Sequence, residues 1–199
     1  MTTTYFLIRH AAQALLDRVL AGRMPDIHLD ENGVAQAKAL GRRLEREDVS
    51  AVHSSPRERA IETAREIAGS VDAEVIVEPD IDEIDCGDWT GCSFDKLRAD
   101  PRWVSWNSAR SIARAPAGES MAEVQQRIVS YLDRQYRSLP EGRIVAVTHG
   151  DVIKAALFRC LGLSLDHIGR VEISPAGIST IAIGDWGSKV LSVNEAVSS

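Results

Sequence analysis

The chain has 199 residues, 44% hydrophobic and 26% charged, and its 23 basic and 29 acidic side chains leave a net charge of −6. That length suits one domain with a sizeable core, and the balance excludes a disordered chain. The acidity argues against a nucleic-acid binder or a protein held on an anionic membrane, so an anionic substrate needs a local basic pocket.

The opening MTTTYFLIRH has no basic segment followed by a long apolar run, and no stretch is apolar enough to span a bilayer. The expectation is a cytoplasmic protein with no membrane association. Cys86, Cys92 and Cys160 form no CxxC or other zinc spacing, which predicts reduced thiols.

Thr4 to Arg9 is a short apolar run that predicts a buried strand. Ala11 to His28, with Gly22 and Pro25, reads as a long loop. Asp30 caps a predicted helix to about Arg46, with Val34, Ala37, Leu40, Gly41 and Leu44 on one face. Val49 to Ser54 predicts a second strand, and Pro56 suits the first turn of the next helix. AEVIVE is a third strand. Residues 79–118 carry Gly87, Gly91, Pro101, Pro116 and Gly118, and read as an irregular excursion with short helices. Ser120 opens a long amphipathic helix to about Leu139. RIVAVTHG is a fourth strand, apolar enough to be buried on both faces as in a parallel sheet. A helix over 151–161 closes at Gly162, and the tail predicts two or three strands around GDWGS, a hairpin at the sheet edge. Alternating strands and helices predict a parallel or mixed sheet with helices on both faces.

His10 and His149 end the first and fourth strands. In open α/β sheets ligands bind at the carboxyl ends of strands, so neighbouring strands would put both imidazoles in one crevice. Arg9 precedes His10, Arg59 starts the helix after the second strand, and Gly150 opens a helix whose free N–H groups suit an anion. Guanidinium forks, imidazoles and a helix N-terminus fit a tetrahedral dianion. The same set is a poor metal site, because arginine repels cations. Neither a metal nor another cofactor is expected.

In these blocks the chain resembles the histidine phosphatase superfamily, also called phosphoglycerate mutase-like. RHA at Arg9–Ala11 resembles the family's RHG, and SSPRERAIETA at Ser54–Ala64 its second block. EIDCGDWTG at Glu83–Gly91 resembles the acidic block, PAGES at Pro116–Ser120 a further segment, and THG at Thr148–Gly150 the second-histidine block. The resemblance implies an α/β fold, a three-layer α/β/α sandwich with a mostly parallel central sheet. It implies a single domain over 1–199 with a pocket-covering segment at about 79–118. It also implies a phosphatase acting on a small phosphorylated substrate through a phosphohistidine on His10. Arg9, Arg59 and His149 would neutralise the phosphoryl oxygens, and Glu83 would be acid and then base. Gly22–Arg23 resembles a loop lining the pocket in relatives, which places Arg23 at the substrate.

The chain departs from the family where Ala11 replaces glycine and where Gln13 and Leu16 stand in place of a threonine or serine and an asparagine. Gln13 supplies a donor for phosphate; Leu16 does not. The added Cβ at Ala11 suggests a tolerant backbone conformation there. Two other readings stay open: a phosphoglycerate mutase-type phosphotransferase, and a non-catalytic phosphate-binding module. The exposed edge of the terminal hairpin offers a homodimer contact. Arg57, His28 and His167 read as surface groups, His53 as structural, and Trp89, Trp103 and Trp106 as packing residues.

Overall fold

The computed structural model describes residues 1–197. Strands β1 (Thr2–Arg9), β2 (Ala51–Ser54), β3 (Val75–Val77), β4 (Arg143–Thr148), β5 (Ile178–Gly184) and β6 (Gly187–Glu195) form one sheet in the order β3-β2-β4-β1-β5-β6. β3, β2, β4 and β1 run parallel, β5 is antiparallel to β1, and β6 is antiparallel to β5. The tail thus supplies two strands, a hairpin that turns at Asp185 and Trp186.

Alternation along the central strands divides the interior into two cores. Tyr5, Leu7, Ile144 and Ala146 point to one face, and Phe6, Ile8, Val145 and Val147 to the other. Helices α1 (Glu31–Leu44) and α2 (Glu58–Val71) cover the second face. Helices α5 (Met121–Ser138) and α6 (Gly150–Leu161) cover the first, together with the excursion, which holds α3 (Phe94–Arg98) and α4 (Pro101–Ser108). The sheet and its two helical layers are the mixed α/β architecture expected. The helix after β1 goes to one face and the helix after β4 to the other, so the space beyond these neighbouring strand ends is the switch point of the sheet.

The element boundaries have local causes. Asp30 accepts a hydrogen bond from Gly33 N at 2.8 Å and caps α1. Ser120 and Glu123 cap α5 reciprocally, each side chain meeting the other's backbone N–H. Gly162 ends α6 with a φ of 65°. Three expectations shift. α2 starts at Glu58 with Arg57 as its N-cap, so Pro56 precedes the helix instead of opening it. β4 stops at Thr148, because His149 is the N-cap of α6 and Gly150 its first residue. Val34 lies outside the buried face of α1 and is exposed. Among the described residues, no helix is long and apolar enough to cross a membrane.

Candidate active site

The register of β1 against β4 pairs Arg9 with Thr148, so the next residues, His10 and His149, leave the sheet side by side. Their ring centroids are 5.2 Å apart. Both are buried, as is Arg59, which α2 sends in from the end of β2.

His10 Nδ1 lies 2.8 Å from the Ala11 carbonyl oxygen, which only accepts, so the ring proton sits on Nδ1. Nε2 therefore carries the lone pair, and Arg59 Nε donates to it at 3.2 Å. The neighbouring backbone is held as well: Thr63 Oγ1 accepts from Ala11 N at 3.0 Å and donates to the Arg59 carbonyl at 2.7 Å. Ala11 takes no positive φ, so the family's glycine position needs no special conformation here.

His149 is oriented through Ser55 and Asp82. Ser55 Oγ donates to Asp82 Oδ1 at 3.1 Å and lies 2.7 Å from His149 Nε2. With the hydroxyl proton directed to Asp82, His149 Nε2–H donates to Ser55 and Nδ1 faces the crevice. There it stands 3.3 Å from Arg59 Nη2 and 3.4 Å from Glu83 Oε2.

Two guanidinium nitrogens in this group are buried and lack partners among the described residues: Arg59 Nη1 and Arg9 Nε. One other nitrogen of each fork meets a carbonyl, Arg59 Nη2 that of Gly22 at 2.8 Å and Arg9 Nη1 that of Ile173 at 2.6 Å. Buried donors left unmet are costly, and an anion between the two arginines would satisfy them. Gly150, at the N-terminus of α6, packs against the Arg9 guanidinium; a Cβ there would sit 3.8 Å from its Nε.

The surroundings set the protonation states. Burial first, then Arg59 and Arg9, hold the His10 imidazole well below its ordinary pKa of 6.5. Burial, Arg59 and His10 do the same to His149. Burial pushes the Glu83 carboxyl up to about 7, against the opposing pull of Arg59.

Glu83 is positioned by its backbone. Arg23 Nε and Arg127 Nη2 both donate to its carbonyl, at 2.8 and 3.1 Å, and both guanidiniums meet Glu119 Oε2. Glu119 Oε2 also accepts from Asp85 N at 2.9 Å. The acidic segment can approach PAGES this closely because Gly87 and Gly118 lack side chains. A Cβ on Gly87 would lie 2.0 Å from the Pro116 carbonyl oxygen, and one on Gly118 would lie 2.3 Å from that of Asp85. Thr148 Oγ1 adds a 2.6 Å bond to the Ile81 carbonyl, tying the end of β4 to the start of this segment.

Of the residues singled out by sequence, Arg9, His10, Arg59, Glu83, His149 and Gly150 converge. Arg23, expected at the substrate, instead places its guanidinium on Asp82, Glu119 and the Glu83 carbonyl. Gln13 is buried and its Oε1 accepts from Leu15 N at 2.6 Å, which leaves only its amide nitrogen for a ligand. Arg57 is half-buried and ion-paired with Asp82, not a free surface charge. His53 is structural, its Nδ1 2.8 Å from Tyr131 Oη. Ser55 and Asp82 join the site without having been expected there; their only sequence signal is that they lie in or beside the matched blocks. A groove of about 450 Å³ between α5, α6 and the β5–β6 hairpin contains none of these residues.

A doubly wound sheet with two imidazoles and unmatched guanidinium donors at its switch point defines a protein that receives a phosphate-like dianion. The sequence model of the histidine phosphatase superfamily (branch 1) matches residues 5–196, and the chain belongs to that family. Phosphoserine phosphatase 1 of Hydrogenobacter thermophilus is 30% identical over 94% of this chain and 90% of its own. A probable phosphoglycerate mutase, GpmB of Erwinia tasmaniensis, is 29% identical over 88% of this chain and 83% of its own. Among solved structures, a phosphoserine phosphatase variant from Entamoeba histolytica in complex with phosphoserine superposes with a TM-score of 0.88. It is 26% identical and the match covers 97% of each chain.

Proposed function

We propose that the protein is a phosphatase that hydrolyses a small phosphomonoester through a phosphohistidine on His10. The observation that carries this is the unprotonated Nε2 of His10, which accepts from Arg59 Nε at 3.2 Å in the crevice that His149 and Glu83 also line. In the first step Nε2 attacks phosphorus, the ester P–O bond breaks, and the Glu83 carboxyl gives its proton to the leaving alkoxide. In the second, the Glu83 carboxylate takes a proton from water, the hydroxide oxygen bonds to phosphorus, and the P–N bond breaks. Inorganic phosphate leaves, with His10 and Glu83 restored.

The transferring phosphoryl group is loosely bonded to both partners, so catalysis is mainly position and charge neutralisation. Arg9 Nε and Arg59 Nη1 supply donors for its oxygens, with the first turn of α6. Ser55 holds His149 so that Nδ1, protonated once the dianion is bound, donates to a third oxygen.

His10→Ala is expected to abolish both the phosphoenzyme and turnover of p-nitrophenyl phosphate in EDTA, a loss of at least ~10³-fold. Wild-type rates in that variant would end the assignment. The mutase relative supports a second reading, in which the phosphoryl group passes to an acceptor alcohol; a phosphoenzyme stable to water and discharged only by acceptor would establish it.

A further inference from the structure

A cavity of about 220 Å³ opens on Glu83. The proposed phosphatase reaction makes Glu83 the acid for the leaving oxygen, so this cavity is where the alcohol part of the ester lies, and the choice of substrate class rests on that reaction. Its volume is below the ~300–1,000 Å³ of pockets for drug-sized ligands, which suits a small alcohol portion.

Its walls are mixed, with Glu83, Arg110 and Asp151 beside apolar and aromatic side chains. Leu20, Phe94, Trp103 and Trp106 line it, and the two indoles stack with centroids 5.1 Å apart. The cation in its lining, Arg110, is already engaged. Its guanidinium lies over the Trp106 ring, 3.3 Å from the centroid, with Nη1 on Asp151 Oδ2 at 3.1 Å and Nη2 on Asn107 Oδ1 at 3.0 Å. A substrate carboxylate entering here would compete with Asp151 and lose its water among aromatic rings. A substrate ammonium would face Arg110 as well as Glu83 and Asp151, and would lose its water among aromatic rings. Arg110 Nε and Trp106 Nε1 remain as donors, both buried without a partner among the described residues. They call for an oxygen acceptor on an otherwise apolar occupant.

We infer that the substrate is a compact phosphate ester of an uncharged, aromatic alcohol that carries one oxygen acceptor. Trp103, Trp106 and Arg110 then determine specificity, since a site with buried donors discriminates against an analogue that cannot meet them. The sequence signal lies in the three tryptophans of the excursion, but it also fits simple packing, which Trp89 performs against both neighbours.

The test compares primary alkyl phosphates, so that differences in leaving-group chemistry stay small. 2-Phenoxyethyl phosphate has the ring and an ether oxygen, 3-phenylpropyl phosphate replaces that oxygen by a methylene, and phosphoserine and 3-phosphoglycerate are charged. The expected order in kcat/KM is phenoxyethyl first, phenylpropyl several-fold lower, and the charged esters about tenfold or more below the first. In Trp103→Ala the phenoxyethyl-to-phosphoserine ratio is expected to collapse. Trp103 is only partly buried, and circular dichroism checks that the variant folds. Phosphoserine or 3-phosphoglycerate equal to or better than the aromatic ester overturns the inference, as does an unchanged ratio in a folded variant. Titration of the unreacted protein with 2-phenoxyethanol against glycerate, read by tryptophan fluorescence, is independent of turnover. Preferential binding of 2-phenoxyethanol with no phosphate released from any ester, p-nitrophenyl phosphate included, would uphold the cavity and reject the phosphatase reading. Turnover with no such preference would do the reverse.

Discussion

His10, His149 and Glu83 share one crevice, yet their surroundings drive them to different protonation states. Both imidazoles are depressed and stay neutral at neutral pH, while Glu83 titrates near 7. The acid form of Glu83 is therefore about half populated at pH 7, nearly full a unit or more below, and falls toward tenfold per unit above. Phosphoenzyme formation from an alkyl ester is expected to decline along the same alkaline limb, and Glu83→Gln is expected to be slow and to lack that limb. A wild-type profile flat through pH 7 would remove Glu83 from the acid role. On stability the groups oppose one another. Glu83, raised above its unfolded value of 4.5, contributes stability that is complete below that value and lost as pH rises through about 7. The histidines, depressed below 6.5, contribute above that value and lose it as pH falls. At this scale the sequence is informative where position alone decides. Arg9, His10, His149 and Gly150 follow from the ends of two apolar runs, because a strand end fixes where the next side chain goes. Arg23 departs from its expected place for the opposite reason: a long guanidinium arm binds whichever acid lies within reach, and Asp82 and Glu119 reach it from remote segments. Ser55 is silent in the sequence because its part depends on the direction of a hydroxyl proton.

The excursion, rather than the sheet, is the element that sets the acid in place. Its regular pieces are short, and its order comes from Glu119, whose carboxylate gathers Arg23, Arg127 and the Asp85 amide immediately before the N-cap of α5. Glu119→Gln keeps the shape but removes the charge that holds two guanidiniums on the Glu83 carbonyl. Its expected effect is a fall on the order of tenfold in kcat for alkyl esters, with a smaller loss for p-nitrophenyl phosphate and little change in KM. An equal fall for both ester types would make Glu119 a general stabiliser instead of a positioning residue. Capping chemistry makes the starts of α1 and α5 legible, since Asp30 and Ser120 stand immediately before amphipathic runs. The folding of 79–118 is not legible, because its close approaches depend on Gly87 and Gly118 meeting across a gap in sequence, which no periodicity records.

Over the whole molecule, the alternation of Tyr5, Phe6, Leu7 and Ile8 between two cores makes a doubly covered sheet readable, but strand order is not, since apolar runs carry no address. The order found has a cost in time. β1 lies between β4 and β5, so Ile8 finds its neighbours only at Val147 and Ile178. On the ribosome, a strand with Tyr5, Leu7 and Ile8 fully buried in the finished protein must wait while most of the polypeptide is made. Chains stalled in synthesis before Ile178 emerges are expected to be cut readily by protease within residues 2–9, and chains released after Glu195 to resist. Early protection would mean that another segment shelters the strand first. A sheet that closes only from its late strands leaves the edges of β1 unpaired through most of translation, and brings both histidines of the crevice together only after that wait.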